Sequence, residues 1–215
     1  MPVPGPICLY AVVPRGEADE LCATTRGLLL VVCGPVAAVI GKPGNETEPR
    51  AALRHDRIVG RALDVCSSVV PFRLGVELQS GAELRRVLGA NEKALSGHLA
   101  RFRERVEMGL KAKLATQADG GAMRLPFGIE RVRALAPRNE DRRERLKRVP
   151  SGQVFEGCYL ISRQTIAAFW SAVEDIRRTL PDLPLMGSGP WAAYSFCDFA
   201  LRFAQSEQRI AIQTQ

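Results

Sequence analysis

The sequence lacks the short motifs by which many enzymes bind phosphate groups or activate a nucleophile. It contains neither glycine-rich phosphate-binding pattern, GxGxxG or GxxxxGK(S/T), and neither a GxSxG turn nor an HExxH helix. Gly187 and Gly189 precede a proline, whereas the glycines of a phosphate loop precede a helix. These absences disfavour an ordinary enzyme, so we expect a protein that uses no cofactor and catalyses no reaction.

Histidine is scarce, and the cysteines lack the spacing of a metal site. The chain has two histidines, His55 and His98, which are far apart, and none of its six cysteines forms a CxxC pair. A zinc site needs clustered ligands, so we expect no metal and interpret the cysteines as small buried hydrophobic residues. A thiol-dependent enzyme stays open as an alternative, because Cys and His partners meet in space rather than in sequence.

Long hydrophobic runs are also absent. The longest, Leu28 to Ile40, has thirteen residues and is broken by Gly34-Pro35, whereas about 18 are needed to cross a bilayer. The first ten residues hold three prolines and no basic region of the kind that opens a signal peptide. We therefore expect no membrane segment and a location in the cytoplasm, where the protein is made.

Positive charge is present in excess and is concentrated in one segment. The formal net charge is +7, and residues 131–148, the basic segment, hold eight basic and three acidic residues. Charge of this kind attracts phosphate, so one alternative is a cytoplasmic regulatory or nucleic-acid-binding module that uses this segment. No aromatic residue is interleaved there to stack on bases, and acids alternate with the bases. A solvated, mixed-charge segment is the favoured interpretation, and nucleic acid is disfavoured as a partner.

In the first half of the chain, hydrophobic periodicity predicts an α+β domain that spans residues 1–105. Short apolar runs bounded by proline or glycine are typical of buried strands, and apolar residues at intervals of three and four indicate helices. The predicted elements are strand Ile7–Val13, a hairpin of Leu28–Cys33 and Val36–Ile40, helix Ala51–Ser68, strand Phe72–Leu78 and helix Ala82–Arg105.

A second unit is predicted from residue 106, where the period changes to two. Alternation over Val106–Leu114 indicates a strand with one wet face. Strand Cys158–Ile161, a helix between Ser162 and Pro181, and a strand from about Pro184 follow; Asn139 is placed to cap a short helix, Glu140–Arg148. We therefore predict two small α+β domains. The second, 106–215, is expected to be ferredoxin-like, with helical turns near Phe199 and Phe203 and a polar tail.

Aromatic residues cluster near the end of the chain. Gly189 and Pro190 constrain the backbone of the segment GSGPWAAYSF, which presents its aromatic side chains from a rigid turn. Such residues serve a core or a docking surface. Arg73 is the one ionisable residue of the run PFRLG and is a further candidate, although an arginine there often faces water. The candidate partner-binding residues are Trp191, Tyr194, Phe196, Phe199 and Arg73.

Several of these segments resemble one known family. The strand CYLI, the helix with Phe169 and Val173, and GPWAAYSF together resemble the C-terminal signature of the gas vesicle protein F/L family, which usually ends GPWPPYSF. The run VVPFRLGV is similar to a strand of that family and follows a helix, as it does there. The chain departs from the family at Ala192 and Ala193, where a proline pair is usual, and at Met108, where tryptophan is frequent.

The resemblance implies an accessory protein for building gas vesicles, located in the cytoplasm and at the vesicle. It implies contact with the small hydrophobic shell protein, gas vesicle protein A, and with other accessory proteins during nucleation of the shell. Such a protein would be a binder and not an enzyme.

Overall fold

The computed structural model describes residues 5–25, 28–44, 47–114, 128–150, 152–198, 200–201 and 210–211. These residues form two compact units. One unit contains the chain up to Glu104 together with the residues from Ala192 onward, and the other is Arg105–Trp191. The second unit is therefore inserted between two parts of the first.

The first unit is built around an antiparallel sheet. Strands β2, β3, β1 and β4 lie side by side in that order, and β5 also pairs with β1. Every residue from Leu9 to Val13 in β1 is at most 2% exposed, so both faces of the central strand are covered. The elements are β1 Ile7–Pro14, α1 Ala18–Thr24, β2 Leu29–Cys33, β3 Val36–Gly41, α2 Glu48–Val65, β4 Val70–Pro71, β5 Glu77–Leu78 and α3 Gly81–Phe102.

The predicted hairpin and the two long helices of this unit are confirmed, but the predicted strand Phe72–Leu78 is wrong as a continuous element. The chain pairs with β1 at the two ends of this run. At one end β4 pairs with β1 and the Phe72 N–H donates to the carbonyl oxygen of Tyr10, and at the other end β5 pairs with β1 and the Leu9 N–H donates to the carbonyl oxygen of Val76. Between them Arg73, Leu74 and Gly75 turn outward and are exposed. Gly75 has a φ of +90°, a backbone angle that permits this turn and that other residues rarely adopt.

The second unit has a four-stranded antiparallel sheet in the order β7-β8-β6-β9. Its elements are β6 Arg105–Leu114, α4 Ile129–Leu135, β7 Arg142–Val149, β8 Gly152–Ser162, α5 Ile166–Thr179 and β9 Leu185–Trp191. The alternation predicted for Val106–Leu114 is confirmed, since the even-numbered residues of β6 are 0–5% exposed. The α+β class is thus confirmed. The β-α-β-β-α-β order agrees with that of a split-βαβ unit, and the ferredoxin-like assignment stays a prediction.

The predicted helix Glu140–Arg148 is wrong. Asn139–Asp141 forms a single 3-10 turn, and β7 follows it. Arginine, glutamate, leucine and lysine favour a helix in isolation, but propensity is a weak preference that tertiary contacts override. Here β7 pairs with β8 along its whole length, from Arg142 opposite Tyr159 to Val149 opposite Gly152.

The residues that follow Trp191 also differ from the prediction. The sequence predicts that they belong to the second domain, but Ala192–Asp198 belongs to the first unit, where Phe196 and Cys197 are 0% and 1% exposed. The burial of these two side chains in the first unit is the physical reason, because the position of a residue along the sequence does not show which core covers it. The sequence also predicts helical turns near residues 199–203, whereas β10 Ala200–Leu201 pairs with β11 Ile210–Ala211. Phe199 and Phe203 lie outside the described residues. Among the described helices, none is long and apolar enough to cross a membrane.

Candidate functional site

One face of the second unit's sheet carries its helices, and the opposite face, the helix-free face, carries charge and two exposed apolar residues. In β6 the even-numbered residues are buried, whereas Lys111 and Lys113 point the other way and are exposed. Residues directly opposite each other on paired strands share a face. Glu156 and Met186 lie opposite Lys111, and Trp191 lies opposite Glu107. On β7 the same face holds Arg143, Arg145 and Lys147.

At the centre of this face, one carboxylate accepts hydrogen bonds from three cations. Glu156 lies 2.7 Å from Arg145 Nε, 3.2 Å from Lys147 Nζ and 3.2 Å from Lys111 Nζ. Burial acts to raise the pKa of Glu156, but these hydrogen bonds outweigh it and lower the pKa to about 2. The carboxylate is therefore ionised at neutral pH, and the four residues, the Glu156 cluster, retain a positive charge. Lys113 and Arg143 extend it.

Along the edge strand β9, two large apolar side chains are open to solvent. Met186 is 58% exposed and Trp191 is 44% exposed. The pairing of β9 with β6 shifts register between Ser188 and Trp191, and Gly189 has a φ of +114° there. The shift places Trp191 beside Glu107 on the same face as Met186. The helix-free face therefore combines two features. Met186 and Trp191 form an exposed apolar edge, the aromatic edge, and the Glu156 cluster forms a cationic centre.

The other aromatic candidates lie in the first unit and have a different environment. Tyr194 and Phe196 form a single 3-10 turn. Phe196 is fully buried, and the Arg101 guanidinium lies 5.9 Å from its ring centre. The Tyr194 hydroxyl is 3.2 Å from Nε2 of buried His55, which also lies 2.8 Å from the carbonyl oxygen of Phe72. These contacts hold the C-terminal segment to its unit and leave Phe196 no exposed surface.

The five candidate partner-binding residues therefore do not form one site. Trp191 is exposed in the second unit, Tyr194 is half-buried, and Arg73 is exposed on the turn between β4 and β5 of the first unit. Phe199 lies outside the described residues. Met186 and the Glu156 cluster are absent from the residues that the sequence predicts. The sequence does contain a signal for the cationic residues of this face. The cations of β7 and β6 recur with a period of two, which places alternate residues of a strand on one face of a sheet.

The basic segment is divided between both faces of the sheet, and acids accompany its cations. Arg133 of α4 donates a 2.6 Å hydrogen bond to Glu144 on the helix side, where the Tyr159 hydroxyl also donates at 2.8 Å. Burial acts to raise the pKa of Glu144, but the bonds from Arg133 and Tyr159 lower it overall. On the opposite side, Glu156 accompanies Arg145 and Lys147. This division and pairing favour the mixed-charge interpretation over a continuous track for phosphates.

The environment of His55 predicts a pH dependence of stability. Burial lowers the pKa of His55, even though its hydrogen bond to Phe72 acts in the opposite direction. Burial likewise lowers the pKa of His98. Since an unfolded histidine takes up its proton near pH 6.5, the unfolded chain binds more protons just below that pH, and acidification destabilises the first unit. The loss is at most about 1.4 kcal/mol per pH unit for each histidine.

Urea unfolding of the wild type and of His55→Gln at pH 7 and pH 5.5 measures this effect. The glutamine side chain can donate a hydrogen bond but does not titrate in this range. The free energy of unfolding should therefore change less between pH 7 and pH 5.5 in His55→Gln than in the wild type. Glu144 and Glu156, with lowered pKa values, contribute in a separate window, because their stabilisation is lost only below about pH 4.3. If the free energy of unfolding falls by the same amount between pH 7 and pH 5.5 in both proteins, His55 is not the source of the pH dependence.

Comparison with known proteins identifies consistent relatives. A sequence model of the family described as gas vesicle synthesis protein GvpL/GvpF matches residues 7–124 and 128–198. Gas vesicle protein F2 of Halobacterium salinarum is 27% identical over 171 residues, which cover 76% of this chain and 75% of that protein. Gas vesicle protein F of Haloferax mediterranei is 29% identical over 150 residues, or 66% of each chain.

Two crystal structures are similar to this chain. Gas vesicle protein GvpF from Anabaena has a TM-score of 0.72 at 13% identity, with 91% of this chain and 97% of that chain covered. GvpF from Microcystis aeruginosa has a TM-score of 0.73, also at 13% identity, with 90% and 99% covered. At this identity the likeness shows a shared fold.

Proposed function

Because the chain belongs to the gas vesicle synthesis protein GvpL/GvpF family, we propose that it is a non-enzymatic accessory protein that binds the hydrophobic shell protein, gas vesicle protein A, during nucleation. Membership of the family carries a role in gas vesicle formation, and the resemblance noted in the sequence is confirmed. Binding of other accessory proteins, and a location in the cytoplasm and at gas vesicles, belong to the same proposal.

The exposed aromatic edge of the helix-free face is the observation that supports shell-protein binding. A shell subunit with a water-repelling face aggregates unless that face is covered until the subunit joins the wall. Trp191 and Met186 supply uncovered apolar surface for this purpose. Tryptophan is enriched at interface positions that dominate binding energy, and methionine adapts to irregular surfaces. The edge is therefore suited to transient contact with an apolar partner.

The cations of the helix-free face suit the selection of partners. The Glu156 cluster carries three cations around one carboxylate, and all three are about half exposed. Charges at the rim of an interface mainly set the encounter rate and disfavour partners of like charge. In this proposal, apolar contact with Trp191 supplies affinity, and the cations favour partners with acidic surface.

Co-expression with the shell protein tests the proposed function. We expect the shell protein to stay soluble and to co-purify with this chain, and to be insoluble without it. Trp191→Ala should weaken binding about thirtyfold, because a dominant interface tryptophan contributes about 2 kcal/mol. Leu53→Ala is the matched control, since Leu53 is 67% exposed on α2 in the first unit. It should bind normally.

Two results would contradict the proposal in different ways. If a well-folded wild type leaves all shell protein insoluble, binding of the shell protein is wrong. If Trp191→Ala and Leu53→Ala recover equal amounts of it, the protein binds through a surface other than the aromatic edge.

A further inference from the structure

Two neighbouring rows of residues cross the helix-free face, each with a cation from β7, one residue from β8 and a cation from β6. The Glu156 row consists of Arg145, Glu156 and Lys111, and the Val154 row consists of Lys147, Val154 and Lys113. In both rows the three residues are direct partners in the strand register. The rows therefore have the same charges at their ends and differ at the centre, where one has a carboxylate and the other an apolar side chain.

The two rows also have the same dimensions, because the sheet sets both. Residues two apart on a strand are separated by about 6.7 Å, so the rows lie that far apart. Strands β7 and β6 are two strand spacings apart, about 9.6 Å, and β8 lies between them. In its own row Glu156 lies 2.7 Å from Arg145 Nε and 3.2 Å from Lys111 Nζ. The Glu156 row therefore shows how a carboxylate is held between cations of these two strands.

The Val154 row has two ammonium groups and no carboxylate of its own. Lys147 reaches across to Glu156 at 3.2 Å, whereas Lys113 forms no ion pair with any acid in the part of the chain that the structure describes. Lys113 and Lys147 are exposed, and Val154 lies half-buried between them. Valine is shorter than glutamate and uncharged. A carboxylate from outside the chain would therefore meet the same pattern of cations that holds Glu156.

The neighbouring Glu156 restricts the kind of anion that fits the Val154 row. A nucleic-acid strand carries one charge per about 3.4 Å of helix axis, so its phosphates would follow one another over both rows, and Glu156 would repel some of them. A polypeptide can place one acidic residue over Val154 and a neutral residue over Glu156, since extended residues two apart are also about 6.7 Å apart. A second copy of this chain is disfavoured, because each copy carries a net charge of +7.

We propose that the Val154 row is a carboxylate-binding site, in which Lys113 and Lys147 bind an aspartate or glutamate side chain of a partner protein. This inference deepens the proposed function and rests on it for the identity of the partner, which is the protein that contacts the aromatic edge. The aromatic edge supplies apolar contact without a fixed position. The Val154 row adds one position at which the partner needs an acid and at which a lysine or arginine is repelled.

A glutamate at position 154 tests the inference from within the chain. Val154→Glu gives the Val154 row a carboxylate between Lys113 and Lys147, as the Glu156 row has. The site is then occupied, and the affinity for an external carboxylate should fall about tenfold, because two ion pairs are no longer offered. Val154→Gln is the matched control, since glutamine has the same shape and no charge. It should bind as the wild type does and should unfold at no higher urea concentration than Val154→Glu.

The probe is a peptide in which single glutamates are separated by glycine and serine, and NMR measures its binding to the full chain at low ionic strength. In the wild type we expect the backbone amide signals of Lys113, Val154 and Lys147 to shift in a saturable way. The same peptide with glutamine in place of glutamate should leave these signals unmoved. Lys113→Gln should weaken binding about fourfold. Lys93→Gln makes the same change of charge at an exposed position of α3 in the first unit and should have no effect.

Four results would overturn the site. If Val154→Glu and Val154→Gln bind the glutamate peptide equally, the peptide binds elsewhere. If the glutamine peptide binds as well as the glutamate peptide, no carboxylate is recognised. If an oligothymidylate binds more tightly at the same residues, the row takes phosphate. If the wild type sediments as a dimer and Val154→Glu as a monomer, a second copy occupies the row. None of these measurements uses the shell protein, so co-expression tests the proposed function separately, and the two failures are distinguishable.

Discussion

Replacing Phe196 by alanine is expected to lower the free energy of unfolding of the first unit by about 3–5 kcal/mol. The side chain is fully buried, so truncation removes a whole aromatic ring from the core and leaves a cavity. The substitution also weakens the attachment of the C-terminal segment to the first unit. Of the contacts described above, the hydrogen bond between Tyr194 and His55 would remain. A loss of this size is a large part of the stability of an ordinary domain.

Urea unfolding followed by far-ultraviolet circular dichroism measures this loss, with Trp191→Ala as the comparison. Trp191 lies five residues earlier but is 44% exposed, so its replacement should cost only about 1–2 kcal/mol. If Phe196→Ala costs no more than Trp191→Ala, the C-terminal segment is not part of the first unit's core. If Trp191→Ala unfolds the protein, Trp191 is a core residue, and the aromatic edge does not exist as an interface.

Replacing Gly189 by alanine is expected to destabilise the second unit by about 3 kcal/mol. Gly189 has a φ of +114°, and holding a residue with a side chain at such an angle costs about 1–3 kcal/mol. A Cβ there would also lie 2.8 Å from the carbonyl oxygen of Glu107 and 3.3 Å from the Cα of Met108. Both atoms belong to the backbone of β6, so the pairing of β9 with β6 would have to shift.

Gly97→Ala is the control for this prediction. Gly97 lies in α3, is exposed, and has open space where a Cβ would be. Alanine favours a helix over glycine by about 1 kcal/mol, so this variant should stabilise the first unit and should leave the fluorescence midpoint of the second unit unlowered. Both tryptophans, Trp170 and Trp191, lie in the second unit, and their fluorescence therefore reports its unfolding. An unchanged fluorescence midpoint for Gly189→Ala would contradict the prediction.

The elements that the sequence predicted well share one physical property. Each of these elements buries one face or both, so its apolar residues must recur with the period of a strand or a helix. They are strand β1, the β2–β3 hairpin and helices α2, α3 and α5. Strand β6 shows the clearest case, because Val106–Leu114 alternates strictly in sequence and all of its even-numbered residues are buried. Helix α1 went unpredicted, since its seven residues bury only Ala18 and Leu21 and produce no repeating pattern.

The candidate site was harder to predict because its residues are brought together by pairing between strands. Lys111 and Glu156 are far apart in sequence and become direct neighbours through the β6–β8 register. The charged stretch Arg142–Val149 is compatible with a helix on propensity, and only pairing with β8 makes it a strand. The sequence pattern presents GSGPWAAYSF as one aromatic segment, yet the boundary between the two compact units falls directly after Trp191.

By itself the sequence determined the α+β class and the family. These depend on local preferences: periodic burial and motif spacing. The tertiary structure alone decided that Phe196 is buried while Trp191 is exposed, that Glu156 gathers three cations, and that position 189 requires glycine. Each of these depends on which distant strand or helix lies alongside, and the free energy of such contacts is not encoded in any single segment.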